Sequence, residues 1–287
     1  MAAETRANAI RLRDGRALAY AEWGPADGRP ILHFHGIPDG RFSWGGDSIC
    51  SDRGVRLIAV DRPGIGDSDP RPGRSVADWP ADVEELLDQL EVDRLVISGW
   101  SAGGAYALAC ADTLSPRIDA VALVSGVGPI YLPGYVEQMS SARAWRLARR
   151  APAAMTLTYS ALGRLARRSP RAAQRAMYAG LPRVDRAVLE RPDVGPRLIS
   201  AYIQATRRGG GGLTEDMRVL LSPWGFDPSG IDLPVHVIQG DRDTIVPPAH
   251  AEHWIATLPD ARPIWVQGTG HFLIEGHLAR IFDALAL

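Results

Sequence analysis

Six short apolar runs, each leading into Gly or Asp, constrain this chain more than any other feature. They are "ILHFHG" (31–36), "VRLIAVD" (55–61), "RLVISGW" (94–100), "IDAVALVSG" (118–126), "PVHVIQGDRD" (234–243) and "RPIWVQGTGH" (262–271). Runs this continuous suit strands buried on both faces. Helical patterns lie between them: "DWPADVEELLDQLEV" (78–92), with Val83, Leu86, Leu87 and Leu90 on one stripe, the small apolar stretch Ala102 to Ala111, a segment near 248–257, and an amphipathic C-terminal segment. Strands alternating with helices predict a mainly parallel, doubly wound sheet. Residues 8–23 alternate apolar and polar around Asp14-Gly15, which predicts that the chain opens with an antiparallel hairpin.

From Pro129 to about Ser229 the strand signals vanish, and helical segments broken by Pro and Gly replace them. The expected organisation is one α/β domain, residues 1–126 and 232–287, interrupted by a helical insertion at 127–231. No internal repeat is present, and "RRGGGG" (Arg207 to Gly212) reads as a flexible joint inside the insertion.

With 287 residues, 46% of them hydrophobic, the chain can bury a large core. Its formal net charge is −1, from 32 basic and 33 acidic residues, so no global field draws it to nucleic acid or anionic lipid. Every basic residue is Arg, which excludes Schiff-base lysine and P-loop lysine chemistry. Two cysteines exclude a disulfide scaffold, and Cys110 within "AYALACA" reads as a buried thiol. The first fifteen residues carry charges where a signal peptide needs an apolar core, and no run approaches the ~18 apolar residues of a membrane span. The expectation is a cytoplasmic protein acting on a partly apolar small molecule, with no nucleic-acid and no membrane partner.

"VISGWSAGG" (96–104) places Ser101 between Gly99 and Gly103, at the junction of a predicted strand and a predicted helix. A chain that turns sharply there and presents one side chain needs small neighbours, and this is G-x-S-x-G in its required context. A serine hydroxyl is a poor nucleophile unless a histidine takes its proton and a carboxylate orients that histidine. His271, past the strand end in the Gly-flexible "GTGH", is the candidate base. Asp243 in "GDRDTIVPP" is the candidate carboxylate, with Asp241 next, as a turn or hydrogen-bonding residue. His236 falls inside a strand, and His250, His253 and His277 fall on helices. Acyl transfer also needs backbone donors for the oxyanion. The Ala102 N–H after the serine and the Ile37 N–H in "HGIP" are the candidates, since Pro38 has no N–H, and His35 reads as a brace for that loop.

The chain order Ser101, Asp243, His271 and these segments resemble the α/β-hydrolase superfamily, and within it the capped members. "HFHGIPDG" is similar to that family's oxyanion loop, "DRPGIGDSD" to its D-x-P-G-x-G-x-S segment and "GWSAGG" to its nucleophile elbow. "GDRDTIVP" and "GTGH" are similar to its acid and base segments. The resemblance implies an α/β-hydrolase fold: a mostly parallel eight-stranded sheet flanked by helices, with residues 127–231 as a helical cap. It also implies a serine hydrolase of carboxylic esters or lactones that works through a Ser-His-Asp triad and an acyl-enzyme, with no metal or organic cofactor. Ser at 101 departs from the Asp nucleophile of the dehalogenase and epoxide-hydrolase members. Glu137 is the only acidic residue between Val127 and Gly180, which disfavours recognition of a free amino terminus. A lyase, cyclase or acyltransferase on the same fold is the alternative, and a slow-turnover ligand receptor a more distant one. The insertion's aromatics, Trp145, Tyr159, Tyr178, Tyr202, Trp224 and Phe226, either line an acyl pocket or fill the insertion's own core.

Overall fold

The computed structural model describes residues 6–287, and it is built on one eight-stranded sheet. The strands are β1 (Arg6–Arg11), β2 (Ala17–Trp23), β3 (Arg29–Phe34), β4 (Val55–Val60), β5 (Leu95–Trp100), β6 (Ile118–Val124), β7 (Val235–Gly240) and β8 (Ala261–Val266). Their order across the sheet is β1-β2-β4-β3-β5-β6-β7-β8. Only the β1–β2 and β2–β4 pairs are antiparallel, so the opening hairpin feeds a parallel ladder. Gly15, at φ +87, makes the hairpin turn.

The helices are α1 (Asp47–Asp52), α2 (Trp79–Gln89), α3 (Gly103–Thr113), α4 (Tyr135–Gln138), α5 (Ala142–Arg150), α6 (Pro152–Arg168), α7 (Pro170–Tyr178), α8 (Arg183–Leu189), α9 (Gly195–Ala205), α10 (Gly211–Leu220), α11 (Pro248–Thr257) and α12 (Ile274–Ala284). The continuous apolar runs acquire their meaning here, because successive residues of one strand serve two cores. Leu32 and Phe34 pack with α2, α3 and α11 on one face, whereas Ile31 packs with Ile281 and Phe282 of α12 on the other. Every residue of β5 is buried, as a central strand covered on both sides must be.

All the chain between β6 and β7 is helix and loop, α4 to α10. The ladder closes beneath it without a break, Val121 to Val124 pairing in register with Val235 to Ile238. The expectation of a flexible joint at Arg207 to Gly212 is not met. A Cβ on Gly212 would lie 1.9 Å from the Gly64 carbonyl oxygen, and one on Gly210 would lie 2.5 Å from Tyr159 Cβ. Gly212 lets α10 press against the "DRPGIGDSD" loop and Gly210 lets its start press against α6, so both serve close packing. Arg207 and Arg208 add ion pairs to Asp67 and Asp69 of that loop.

Candidate active site

The C-terminal ends of β3, β5, β7 and β8 bring the predicted residues together. Ser101 follows β5 with φ +56, a left-handed conformation that a non-glycine residue adopts only under constraint. The constraint is visible on both sides. The Ser101 N–H donates to the Val124 carbonyl (2.9 Å), and the Ser101 carbonyl accepts from Gly104 and Val127 (both 3.1 Å). A Cβ on Gly99 would lie 2.5 Å from the Gly103 carbonyl oxygen, and one on Gly103 would lie 2.1 Å from that of Phe34. Both positions therefore exclude a side chain, which explains the G-x-S-x-G spacing.

His271 and Asp243, both buried, meet at 2.8 Å through Nδ1 and Oδ2. The Asp243 carboxylate is itself fixed: Oδ1 accepts the amides of Ile245 (2.9 Å) and Val246 (2.8 Å), and Gln239 donates to Oδ2. Asp241 accepts from the Gly268 amide at 2.6 Å and so ties the two loops together, as a turn residue should. Ser101 Oγ makes no hydrogen bond among the described residues, and neither the Ile37 nor the Ala102 amide has an acceptor among them. His35 braces its loop: Nδ1 bonds the Gly36 carbonyl (2.8 Å), and Arg62 donates to the carbonyls of His35 and Gly36.

Ser101, His271 and Ile37 line one cavity of about 410 Å³. Its remaining wall is mostly apolar and comes largely from the inserted helices, including Trp145, Met155, Tyr159, Leu162, Leu198 and Met217. The insertion's aromatics divide. Trp145, Tyr159 and Tyr178 line the cavity, while Tyr202 donates to the Tyr159 carbonyl and Trp224 stacks between Phe226 and Trp254. Two polar groups on the wall lie outside the expected set. Asp39 is buried, and burial pushes its carboxyl up to about 7; the buried Tyr178 hydroxyl has no partner among the described residues. No cluster of three His, Cys, Asp or Glu side chains among the described residues is arranged to hold a metal ion.

Three positioning residues carry no motif. Trp100, the variable position of G-x-S, donates from Nε1 to the His271 carbonyl (3.2 Å) and packs its ring against the imidazole. Asp185 of α8 is buried beside the His271 loop and accepts the Phe272 amide at 3.1 Å. A Cβ on Gly270 would run into that carboxylate at 2.3 Å. Asp216 of α10, also fully buried, bonds Arg62 (2.8 Å), Arg74 (2.6 Å) and the Tyr106 hydroxyl (2.5 Å). Burial raises the Asp216 carboxyl, but the two guanidiniums outweigh it and hold it below the usual carboxylate range.

The remaining buried histidines oppose acid conditions. Burial holds His33 down to about 3 and His250 to about 4, and it also lowers His35. Each is neutral when folded and takes up a proton on unfolding below about pH 6.5, so stability falls as pH drops through that window. Asp39 works in the opposite direction between about 4 and 7, since its folded form binds the proton more tightly. Glu275, Asp61 and Asp185, raised by burial as well, add to that opposing effect. The histidine effect is the larger, and the net expectation is a loss of stability on acidification from about pH 6 to about pH 4.5. Urea midpoints at the two ends of that range check it, and an unchanged or rising midpoint at the acid end would refute it.

Comparison with known proteins agrees with this architecture. A family model described as alpha/beta hydrolase fold matches residues 29–278. A non-heme chloroperoxidase of Streptomyces lividans is 35% identical over 124 residues, covering 42% of this chain and 45% of the relative's own length. The Mycobacterium tuberculosis protein Rv2715 is 29% identical over 273 residues, covering 93% of this chain and 76% of the relative. Among solved structures, an esterase from Thermogutta terrifontis superposes with a TM-score of 0.70 at 22% identity, over 98% of this chain and 97% of the other. The enol-lactonase of Burkholderia xenovorans gives 0.70 at 19% identity, over 97% and 98%. At such identities the structural likeness is one of fold. The match over residues 29–278, on a sheet of this order and connectivity, places the chain in the α/β-hydrolase family.

Proposed function

We propose that the protein is a serine hydrolase of carboxylic esters or lactones, with residues 127–231 as the cap over its active site. The observation that carries this reading is the buried His271–Asp243 pair at 2.8 Å, opening with Ser101 onto a single apolar cavity. Ser101 attacks the carbonyl as His271 Nε2 takes its proton. Asp243 holds the other ring nitrogen and stabilises the imidazolium that forms. The unengaged amides of Ile37 and Ala102 receive the oxyanion, and His271 then protonates the leaving alcohol. Water deacylates the enzyme by the same steps in reverse order.

The wall chemistry supports an acyl substrate over a peptide. Among the described residues no carboxylate of the inserted segment lines the cavity, so nothing in the cap meets a free amino terminus. Asp39 and Tyr178, with the serines Ser140 and Ser141, are polar groups on the wall available to a hydroxyl or carbonyl elsewhere on the substrate.

A fluorophosphonate probe tests the nucleophile. One adduct on Ser101 is expected, absent in Ser101→Ala and forming at least about a hundredfold more slowly in His271→Ala. Failure of the folded protein to label would overturn the assignment. Hydrolysis is separated from lyase, cyclase or acyltransferase chemistry by isotope: the released acid must carry one oxygen from labelled water.

A further inference from the structure

The total charge of −1 conceals a strong segregation. Residues 142–189, which span α5 to α8, contain eleven arginines and one carboxylate, and that carboxylate is the buried Asp185. The rest of the chain holds 21 arginines against 32 carboxylates. All eleven arginines of this segment are exposed, and none forms an ion pair with a described residue. Elsewhere the pattern is different, and Arg16, Arg41, Arg62, Arg74 and Arg197 are each matched to an acid.

On α6, two of these arginines share an outward face with two leucines. Helix α6 packs against α5 and α7 at its sides and against α9 and α10 beneath, so its remaining face points outward. That face carries Leu157, Ala161, Arg164, Leu165 and Arg168, within about 100° of one another at helical spacing. Leu157 is 66% exposed and Leu165 37% exposed; only three large hydrophobic residues in the described chain reach this class. The inner faces of the same helices line the cavity through Trp145, Met155, Tyr159 and Met177. Of the lining residues, only Ser140, just before α5, and Gly180, just after α7, are exposed.

We infer that the outer face of α5 to α7 is a docking surface for an anionic lipid bilayer, with Leu157 and Leu165 entering the interface and the arginines meeting lipid phosphates. Unpaired guanidiniums around two projecting leucines are what an interfacial helix presents. A polyanion such as nucleic acid would satisfy the charges, but it offers nothing to the leucines, and no large aromatic residue is among the exposed hydrophobics of the described chain to stack on a base. The exposed lining residues of the cavity adjoin α5 and α7, so lipid-borne esters are the substrate class such a surface favours; this last step rests on the hydrolase reading.

Flotation with phosphatidylglycerol-containing vesicles, compared with pure phosphatidylcholine vesicles, tests the surface. Binding is expected to the anionic vesicles alone and to disappear between about 0.05 and about 0.5 M salt. The triple variant Arg164→Gln/Arg168→Gln/Arg171→Gln is expected to bind about a hundredfold more weakly, each charge contributing about fivefold. Leu157→Ser is expected to weaken binding about tenfold while keeping the salt dependence. All these variants are expected to hydrolyse a soluble short-chain ester within about twofold of the parent, because the changed side chains face away from the cavity. Absence of binding to anionic vesicles, equal binding to both vesicle types, or binding indifferent to the triple variant would overturn the inference. So would tighter binding to single-stranded RNA or duplex DNA in which Leu157→Ser has no effect. Binding is read without turnover, so an inactive but vesicle-binding protein would refute the hydrolase reading alone.

Discussion

Ser101→Ala is expected to lower kcat for ester hydrolysis by about 10⁴ to 10⁶-fold with the fold intact. The loss is chemical, because no other hydroxyl or thiol lines the cavity near His271 on a strand end built to present it. Alanine bears a Cβ as serine does, so the left-handed backbone at 101 is no more strained after the change, and stability should move by under about 1 kcal/mol. Residual rate over water would come from the cavity and the two amides. Asp243→Asn is expected to cost about 10⁴-fold by favouring the wrong tautomer, and combining it with Ser101→Ala should add little, since members of one machine fail together. A Ser101→Ala protein that keeps kcat within tenfold of the parent would remove Ser101 from the chemistry.

Asp216→Asn is expected to destabilise the protein by about 3–5 kcal/mol, because it leaves Arg62 and Arg74 buried without a counter-charge. For a chain of this size that corresponds to a fall in Tm of about 6–20 °C. Activity should fall as well, even at temperatures where the variant is folded. Arg62 holds the carbonyls of His35 and Gly36, and the amide of Ile37 follows immediately. Replacing the whole cluster, Asp216→Leu with Arg62→Met and Arg74→Met, separates the two roles. It should recover most of the stability, since an apolar filling avoids the desolvation cost, but it should leave kcat depressed. Thermal melts and kcat on one ester read both effects, and a single variant within about 1 kcal/mol of the parent would show that the cluster is solvated.

The sheet is legible in the sequence because each strand is a nearly unbroken apolar run, a local property. Ser101, Asp243 and His271 are legible for a related reason: each follows such a run at a glycine-marked end, and sheet geometry brings strand ends together. Asp216 and Arg62 are 154 residues apart, and no local pattern announces a contact that only folding creates. A partial signal does exist, since Asp216 shares the buried stripe of α10 with Leu213, Met217 and Leu220. A carboxylate on an apolar stripe demands a buried partner. Arg207 to Gly212 misleads for the opposite reason, because glycine marks close packing as readily as freedom. Net charge is silent on the segregation of the arginines, since a sum over the chain discards where the charges lie.

The in-register β6–β7 ladder beneath the insertion has a consequence for how such a chain can diversify. Because the sheet closes without using any residue of 127–231, that segment can in principle be exchanged whole without disturbing the strands. The Asp216 cluster sets a condition on the exchange. A transplanted roof that lacked a carboxylate at this point would leave two guanidiniums stranded in the host and slacken the loop ahead of Ile37. On the proposed reading selectivity and reactivity are inherited together, and chimeras that respect the strand boundaries but omit this one acid should fold poorly and turn over slowly.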